Sequence, residues 1–418
     1  MVKHPEKQNY PIRDRVLCIN ILHLDRLFHK VQNCDGLSLG VIDIYLDAPD
    51  YTLVYDETEG FTCLDDISRA LIFFIKYYKQ NKDNRTLQKI TSLLNTIFYL
   101  RSDNGYFYNF LFPDLTINRT HINSTATSNF WSWRAMLALS EVQLAGIPEL
   151  QHFDDNISKA IDSLVSNLMP LVEDNKELVN YSELKIQGFV GIIGADQIAD
   201  IISSLTNCYL KSPKKELKKL IEILGNGILG VQFGSESIFP HFTFLSWKNK
   251  WHAWGNSQSG ALIYSGRVIN NTAFVEAGFK EVRHFYPYLI KNNYLSSFEL
   301  KLTNNKLQAY NIKQFPQIAY DLRTMVYASI GAFANTNNTV FANIAAELTM
   351  WFFGKNAAKS IMYDCKTGRC FDGIDSPTIV NKNSGAESTI ETLLLLIEIE
   401  KYPLIKEAIT KLIKKEYE

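Results

Sequence analysis

Apolar and polar positions along this chain alternate with a helical period in twelve segments, near 64–79, 86–101, 127–144, 155–173, 190–210, 213–229, 255–269, 272–290, 317–334, 337–353, 384–400 and 402–416. In the first, Ile67, Leu71, Phe74, Ile75 and Tyr78 form one stripe at the 3.6-residue period. Leu87, Ile90, Leu94, Ile97 and Phe98 repeat it in the second. Pro316 and Pro403 stand near helix starts, where proline is tolerated. A further helix is expected near 14–32, packed across the outside. Strand signals are weak and confined to the long connections.

The joints alternate in length. Short ones fall at 80–85, 145–154, 211–212, 270–271, 335–337 and 401–402; long ones at 33–63, 102–126, 174–189, 230–254, 291–316 and 354–383. A short joint makes two helices antiparallel neighbours, so six hairpins in series place every long loop at one end, where binding and chemistry would sit. Some segments are apolar on several sides, as in Ile390–Ile399, and suit an inner ring. Others, such as 402–416 ending in KKEYE, are amphipathic and suit an outer one. An open solenoid would repeat a constant period with a consensus. Here the hairpin lengths drift and no consensus recurs, so closure is expected: an all-α, (α/α)6 toroid over 33–418, with 1–32 as an extension.

Composition narrows the function. Hydrophobic residues make up 46% of the 418 positions, enough for a large core, and the net charge is −1, which argues against a nucleic-acid surface. The basic runs KSPKKELKK (211–219) and KLIKK (411–415) read as solvated helix faces. No stretch of about 18 uncharged apolar residues exists, so no membrane span is expected. The polar start MVKHPEKQNYPIRDR lacks a secretory core. A cytoplasmic location is expected, or a periplasmic or secreted one if a signal peptide was removed. Six cysteines are too sparse for a disulfide framework, although Cys365 and Cys370 flank a turn and could bridge locally. The absence of a Cys-x-x-Cys pair or His-Glu-x-x-His motif argues against a zinc site, and no cofactor is expected. No oligomeric state is legible.

The unusual clusters fall in the long loops or the first turn after them. Segment 55–70 reads YDETEGFTCLDDISRA, with Asp65 and Asp66 opening a helix and Arg69 one turn on. These acids fit a capped helix start or a substrate-facing pair. Segment 101–108 reads RSDNGYFY, and Trp131-Ser132-Trp133-Arg134 follows. His241 precedes WKNKWHAWGNSQ at 247–258, which gathers Trp251, His252, Trp254 and Gln258. Flat aromatic faces beside amides suit sugars. Asp321 and Arg323 open another helix. The sixth loop reads YDCKTGRCFDG (363–373), with Asp372, and then NKNSGAEST (381–389), with Asn383 and Glu387. Ser384-x-x-Glu387 fits a capping box, and the same glutamate would also meet a ligand at the rim.

GFTCLDDISRAL and YDCKTGRCFDGI…NKNSGAEST together resemble two motifs of bacterial six-hairpin glycosidase-like domains, a group found fused to or encoded beside glycosyltransferases. The chain departs from the group's pattern at Ile67-Ser68 and at Asn381-Lys382-Asn383. The resemblance implies the toroid and a carbohydrate substrate. Glycoside cleavage needs one protonated and one ionised carboxyl. Asp66 and Glu387 are the expected pair, adjacent across the closed ring, with Asp65, Asp321 and Asp372 in reserve. An inverting, metal-independent mechanism is the expectation. Arg69, Arg134 and Arg323 would bind hydroxyls or an acidic substituent. Trp131, Trp251 and Trp254 would stack, and His241, His252, Gln258 and Asn383 would complete the site. The rival readings are a sugar epimerase with paired histidines on the same toroid and a non-catalytic carbohydrate-binding protein.

Overall fold

A computed structural model describes residues 17–417. Its helices are α1 (Leu22–Leu27), α2 (Leu64–Asn81), α3 (Asn84–Tyr99), α4 (Phe130–Ala145), α5 (Asp154–Glu173), α6 (Gly188–Ile193), α7 (Ala195–Lys211), α8 (Lys215–Leu229), α9 (Gln258–Ile269), α10 (Thr272–Lys291), α11 (Ala319–Thr336), α12 (Thr339–Thr349), α13 (Ala386–Ile399) and α14 (Pro403–Tyr417). Helices α2, α4, α7, α9, α11 and α13 pack each on the next, and α13 packs back on α2. The ring is therefore closed. Helices α3, α5, α8, α10, α12 and α14 form the outer layer, each following its inner partner in the chain.

The inner helices are apolar over most of their circumference because they face two neighbours and an outer helix; from Ala386 to Ile399 nearly every residue of α13 is buried. The outer helices keep one buried stripe, as with Ile157, Ile161, Leu164 and Leu168 of α5. Four of the six short joints turn on left-handed residues at helix C-termini, where carbonyls lack intrahelical partners: Lys82, Gly146, Asn270 and Asn337. All six long connections leave from the opposite end.

Two expected helices differ. Of the segment 14–32, residues 14–16 lie outside the described residues, and only Leu22–Leu27 is helical. Phe28–Gln32 is instead a strand paired with Ser38–Ile42. The Asn33 side chain accepts from the amides of Asp35 and Leu37, which turns the chain and makes the ladder available. The segment 190–210 is split at Gly194, whose φ is +101° and where a Cβ would lie 2.4 Å from an Asp196 carboxylate oxygen.

The long loops hold more strand than their sequences suggest. The longest hairpin, Ser297–Thr303 with Lys306–Lys313, turns on Asn304 and Asn305, both with positive φ. Lys250–His252 joins it as a third strand.

Candidate active site

At the long-loop end lies a cleft of about 430 Å³, lined by Asp65, Asp66, Arg69, Trp131, Arg134, Trp254 and Glu387 of the sequence candidates, together with Tyr45, Glu59, Asn109, Asn123, Asn129, Phe130 and Tyr320. The helix starts around it explain why acids project there. The first amides of α2 are satisfied from another loop: Leu64 N–H donates to the Asn109 carbonyl at 2.7 Å, and Asp65 N–H to the Asn109 side chain at 3.2 Å. The N-cap residue Cys63 makes no side-chain cap. Neither Asp65 nor Asp66 is consumed in capping. The start of α13 is built alike. Gly385 N–H donates to Asp372 at 2.8 Å, and Ala386 N–H to the Ile44 carbonyl at 3.0 Å. The expected Ser384–Glu387 capping box does not form: the Ser384 N–H that Glu387 would accept donates instead to the Leu46 carbonyl at 3.2 Å, Gly385 takes the N-cap position, and Glu387 lines the cleft.

Beneath the cleft the charges interlock. The Arg69 guanidinium reaches Asp66 at 2.7 Å, Glu387 at 3.0 Å and Glu391 at 3.1 Å. Glu391 is fully buried and also holds Arg323 in a charged bond. Arg134 pairs with Asp65 at 2.7 Å and donates to the Tyr320 hydroxyl at 3.1 Å. Arg69, Arg134 and Arg323 all lie over the Tyr320 ring, at 4.7, 5.3 and 5.3 Å from its centre. Burial pushes the Glu387 carboxyl above the usual range, and Arg69 pulls it the other way. Although 41% of this side chain meets solvent, it does so at the cleft floor. Burial also raises Asp66, which is only 3% exposed and accepts from the Cys63 thiol at 3.2 Å.

Tryptophan 254 is 39% exposed at the cleft. Its ring stacks on His252 at 3.8 Å with 9° between planes. The imidazole is fixed behind it by Asp196 at 3.1 Å and by the Trp254 carbonyl at 2.8 Å.

The remaining candidates do not line the cleft, except Trp131, which is buried in its wall. Trp251 is fully buried between Phe285 and Phe298, because its strand adds to the 297–313 hairpin. Asp321 is buried and accepts the Ile318 amide at 3.0 Å. Asp372 caps α13, also accepting the Ser388 hydroxyl at 2.6 Å. Asn383 ties two loops together, donating to Asp47 at 2.8 Å and accepting the Ala48 amide at 2.9 Å. Gln258 is buried and donates to the Leu245 carbonyl at 3.2 Å. His241 packs on Phe239 and Tyr288, away from the His252–Trp254 stack, so the two histidines do not form an acid/base pair. Arg323 lies on the far side of the arginine layer, and Trp131 is buried at the cleft wall with its N–H on the Phe107 carbonyl at 2.8 Å. No Cys365–Cys370 bridge is present: the Cys18 thiol donates to the Cys365 carbonyl at 3.4 Å, and Cys370 is buried.

Sequence reasoning missed Glu391, Tyr320 and Asn109. Only Glu391 carried a signal: an acid one turn beyond Glu387, on the N-terminal side of the apolar run of an inner helix.

Among the described residues, no helix is long and apolar enough to cross a membrane. No family model and no curated protein matches this sequence. Solved structures do. A sugar epimerase from a ruminal bacterium superposes with a TM-score of 0.61 at 12% identity, over 94% of this chain and 98% of that one. The cellobiose 2-epimerase of Bacillus thermoamylovorans gives 0.60 at 12% identity, over 86% and 92%. A glycoside hydrolase family 76 mannosidase from Bacteroides thetaiotaomicron gives 0.56 at 8% identity, over 90% and 95%. At such identities the likeness is one of fold, and the fold of the chain is an (α/α)6 toroid.

Proposed function

We propose that this protein is a carbohydrate-active enzyme that cleaves a glycosidic bond in the long-loop cleft, with Glu387 as general acid and Asp65 as the carboxylate that activates water. The observation that carries this reading is that Glu387 and Asp65 stand at helix starts whose amides are capped by other residues, and both face the same cleft. Glu387, raised by burial, suits the protonated role. Asp65, ion-paired with Arg134, suits the ionised one. In the inverting scheme the acid delivers its proton to the glycosidic oxygen while the base takes one from the attacking water. Asp66, expected from the sequence as half of the pair, lines the cleft with only 3% of its side chain exposed, is held by Arg69 and Cys63, and serves to position Arg69. Trp254 offers the one broadly exposed indole face at the cleft for a sugar ring. The substrate is read as a neutral or weakly acidic oligosaccharide, and the acid/base scheme needs no metal.

The epimerases among the similar structures favour a second reading, inversion at a sugar carbon without cleavage. Proton NMR of a panel containing mannosides and cellobiose, with and without EDTA, separates the two. New reducing ends that form in EDTA support hydrolysis. A changed sugar of unchanged chain length supports epimerisation, and binding without any change supports a lectin-like role.

A further inference from the structure

Residues 18–20, just before α1, are strapped to the turn of the sixth long loop. The Tyr363 hydroxyl donates to the Cys18 carbonyl at 3.0 Å and accepts the Asn20 amide at 3.3 Å. The Asn20 side chain donates to the Cys365 and Lys366 carbonyls at 2.9 and 3.0 Å. The two backbones are pressed together at Gly368, whose φ is +76° and where a Cβ would lie 2.4 Å from the Asn20 carbonyl oxygen.

This strap brings together two cysteines that are 347 positions apart. The Cys18 thiol reaches the Cys365 carbonyl at 3.4 Å, and the two thiols hydrogen-bond each other. Both are thiols here, and both are partly exposed. Facing cysteines on closely apposed backbones meet the steric demand of a disulfide. The pair is also unequal. The hydrogen bond from Cys365 lowers the Cys18 thiol, while the same bond and burial raise Cys365. Elsewhere burial makes the thiols inert: Cys63 is pushed well up, Cys208 to about 11 and Cys370 to about 12. Cys34 stands on the exposed 33–37 turn.

We propose that Cys18 and Cys365 are a reversible dithiol–disulfide pair, a redox staple that fastens the segment before α1 to the sixth loop and is closed by exchange with a small-molecule disulfide. The Cys18 thiolate bonds to one sulfur of the oxidant, whose other sulfur leaves as a thiolate. Cys365 gives its proton to solvent, attacks the Cys18 sulfur and expels the second thiolate. The protein loses two protons and two electrons, and the oxidant becomes two thiols. The staple bears on the loop that carries Asp372, the cap of α13. It stands on this contact alone and does not depend on the reaction in the cleft.

Incubation of the folded full chain with glutathione disulfide tests it, followed by alkylation, trypsin and mass spectrometry. Trypsin cuts after Lys366 and Arg369, between Cys365 and Cys370, so the alternative bridges give different peptides. A link between segments 16–26 and 360–366 is expected, with two fewer alkylated thiols, reversed by dithiothreitol. It should persist in Cys370→Ser. In Cys18→Ser, Cys365 should remain alkylatable. The oxidised parent should melt a few degrees above the reduced one, with no such rise in Cys18→Ser. A glutathione adduct that stays on Cys18, a bridge from Cys365 to Cys370, or loss of the link in Cys370→Ser overturns the pairing. An oxidised parent that melts no higher than the reduced one overturns the staple. If Cys18→Ser does not fold, the peptide map of the parent decides alone.

Discussion

The guanidinium of Arg69 on α2 lies 3.0 Å from the carboxylate of Glu387 on α13, across the seam where the ring closes. The same group holds Asp66 and Glu391. Replacing Arg69 by Met would strand buried carboxylates without their counter-charge, at a cost of about 3–5 kcal/mol. Lysine would keep the charge but lose the fork that reaches three acids, and should fall between. Urea unfolding of the two variants checks this; a loss below about 1 kcal/mol in Arg69→Met would contradict the role given to Arg69.

Asp321 is assigned to structure. Its carboxylate accepts the Ile318 amide at the start of α11. Asp321→Ala should lower stability by about 1 kcal/mol and leave turnover within a few-fold, measured well below the variant's Tm. A hundredfold fall in turnover would return Asp321 to the catalytic set.

Glu281 of α10 is fully buried, accepting from the Phe244 amide and the Ser259 hydroxyl, and burial pushes its carboxyl up to about 7. The folded value lies above the unfolded one. Its contribution is therefore fully present below about pH 4.5 and is lost as pH rises through about 7. Glu281→Gln removes this titration. The stability of the variant relative to the parent should rise between pH 5 and pH 8, by on the order of 2–3 kcal/mol. Parallel stability curves for the two proteins would refute the assignment.

The ring was legible because inner and outer helices bury different fractions of their surface, and that difference is written in the width of each apolar stripe. Ile390–Ile399 could only be an inner helix. The placement of side chains in the loops was not legible. Trp251 looks like a loop platform until its strand pairs with Ser297–Thr303, residues nearly fifty positions away. Glu387 looks like half of a capping box until the Leu46 carbonyl arrives to hold the Ser384 amide. In both places a contact distant in sequence overrides a local preference. For Trp251 it removes a candidate from the site, and for Glu387 it frees one.

Trp254 and Trp251 give opposite optical expectations. A sugar settling on the exposed ring of Trp254 should change tryptophan emission, and Trp254→Phe should abolish the change. Trp251→Phe, altering a buried ring stacked on Phe298, should keep it. A signal lost in Trp251→Phe but kept in Trp254→Phe would move the sugar platform elsewhere.

Turnover of Glu387→Gln and Asp65→Asn on the glycan cleaved by the parent protein tests the central claim most directly. Each change removes a titratable group while nearly preserving shape, and neither carboxylate caps its helix. A loss of about 100-fold or more is expected in each, with folding confirmed by thermal melts. Unchanged turnover in either variant would contradict the assignment of that carboxylate, and unchanged turnover in both would remove the chemistry from this cleft.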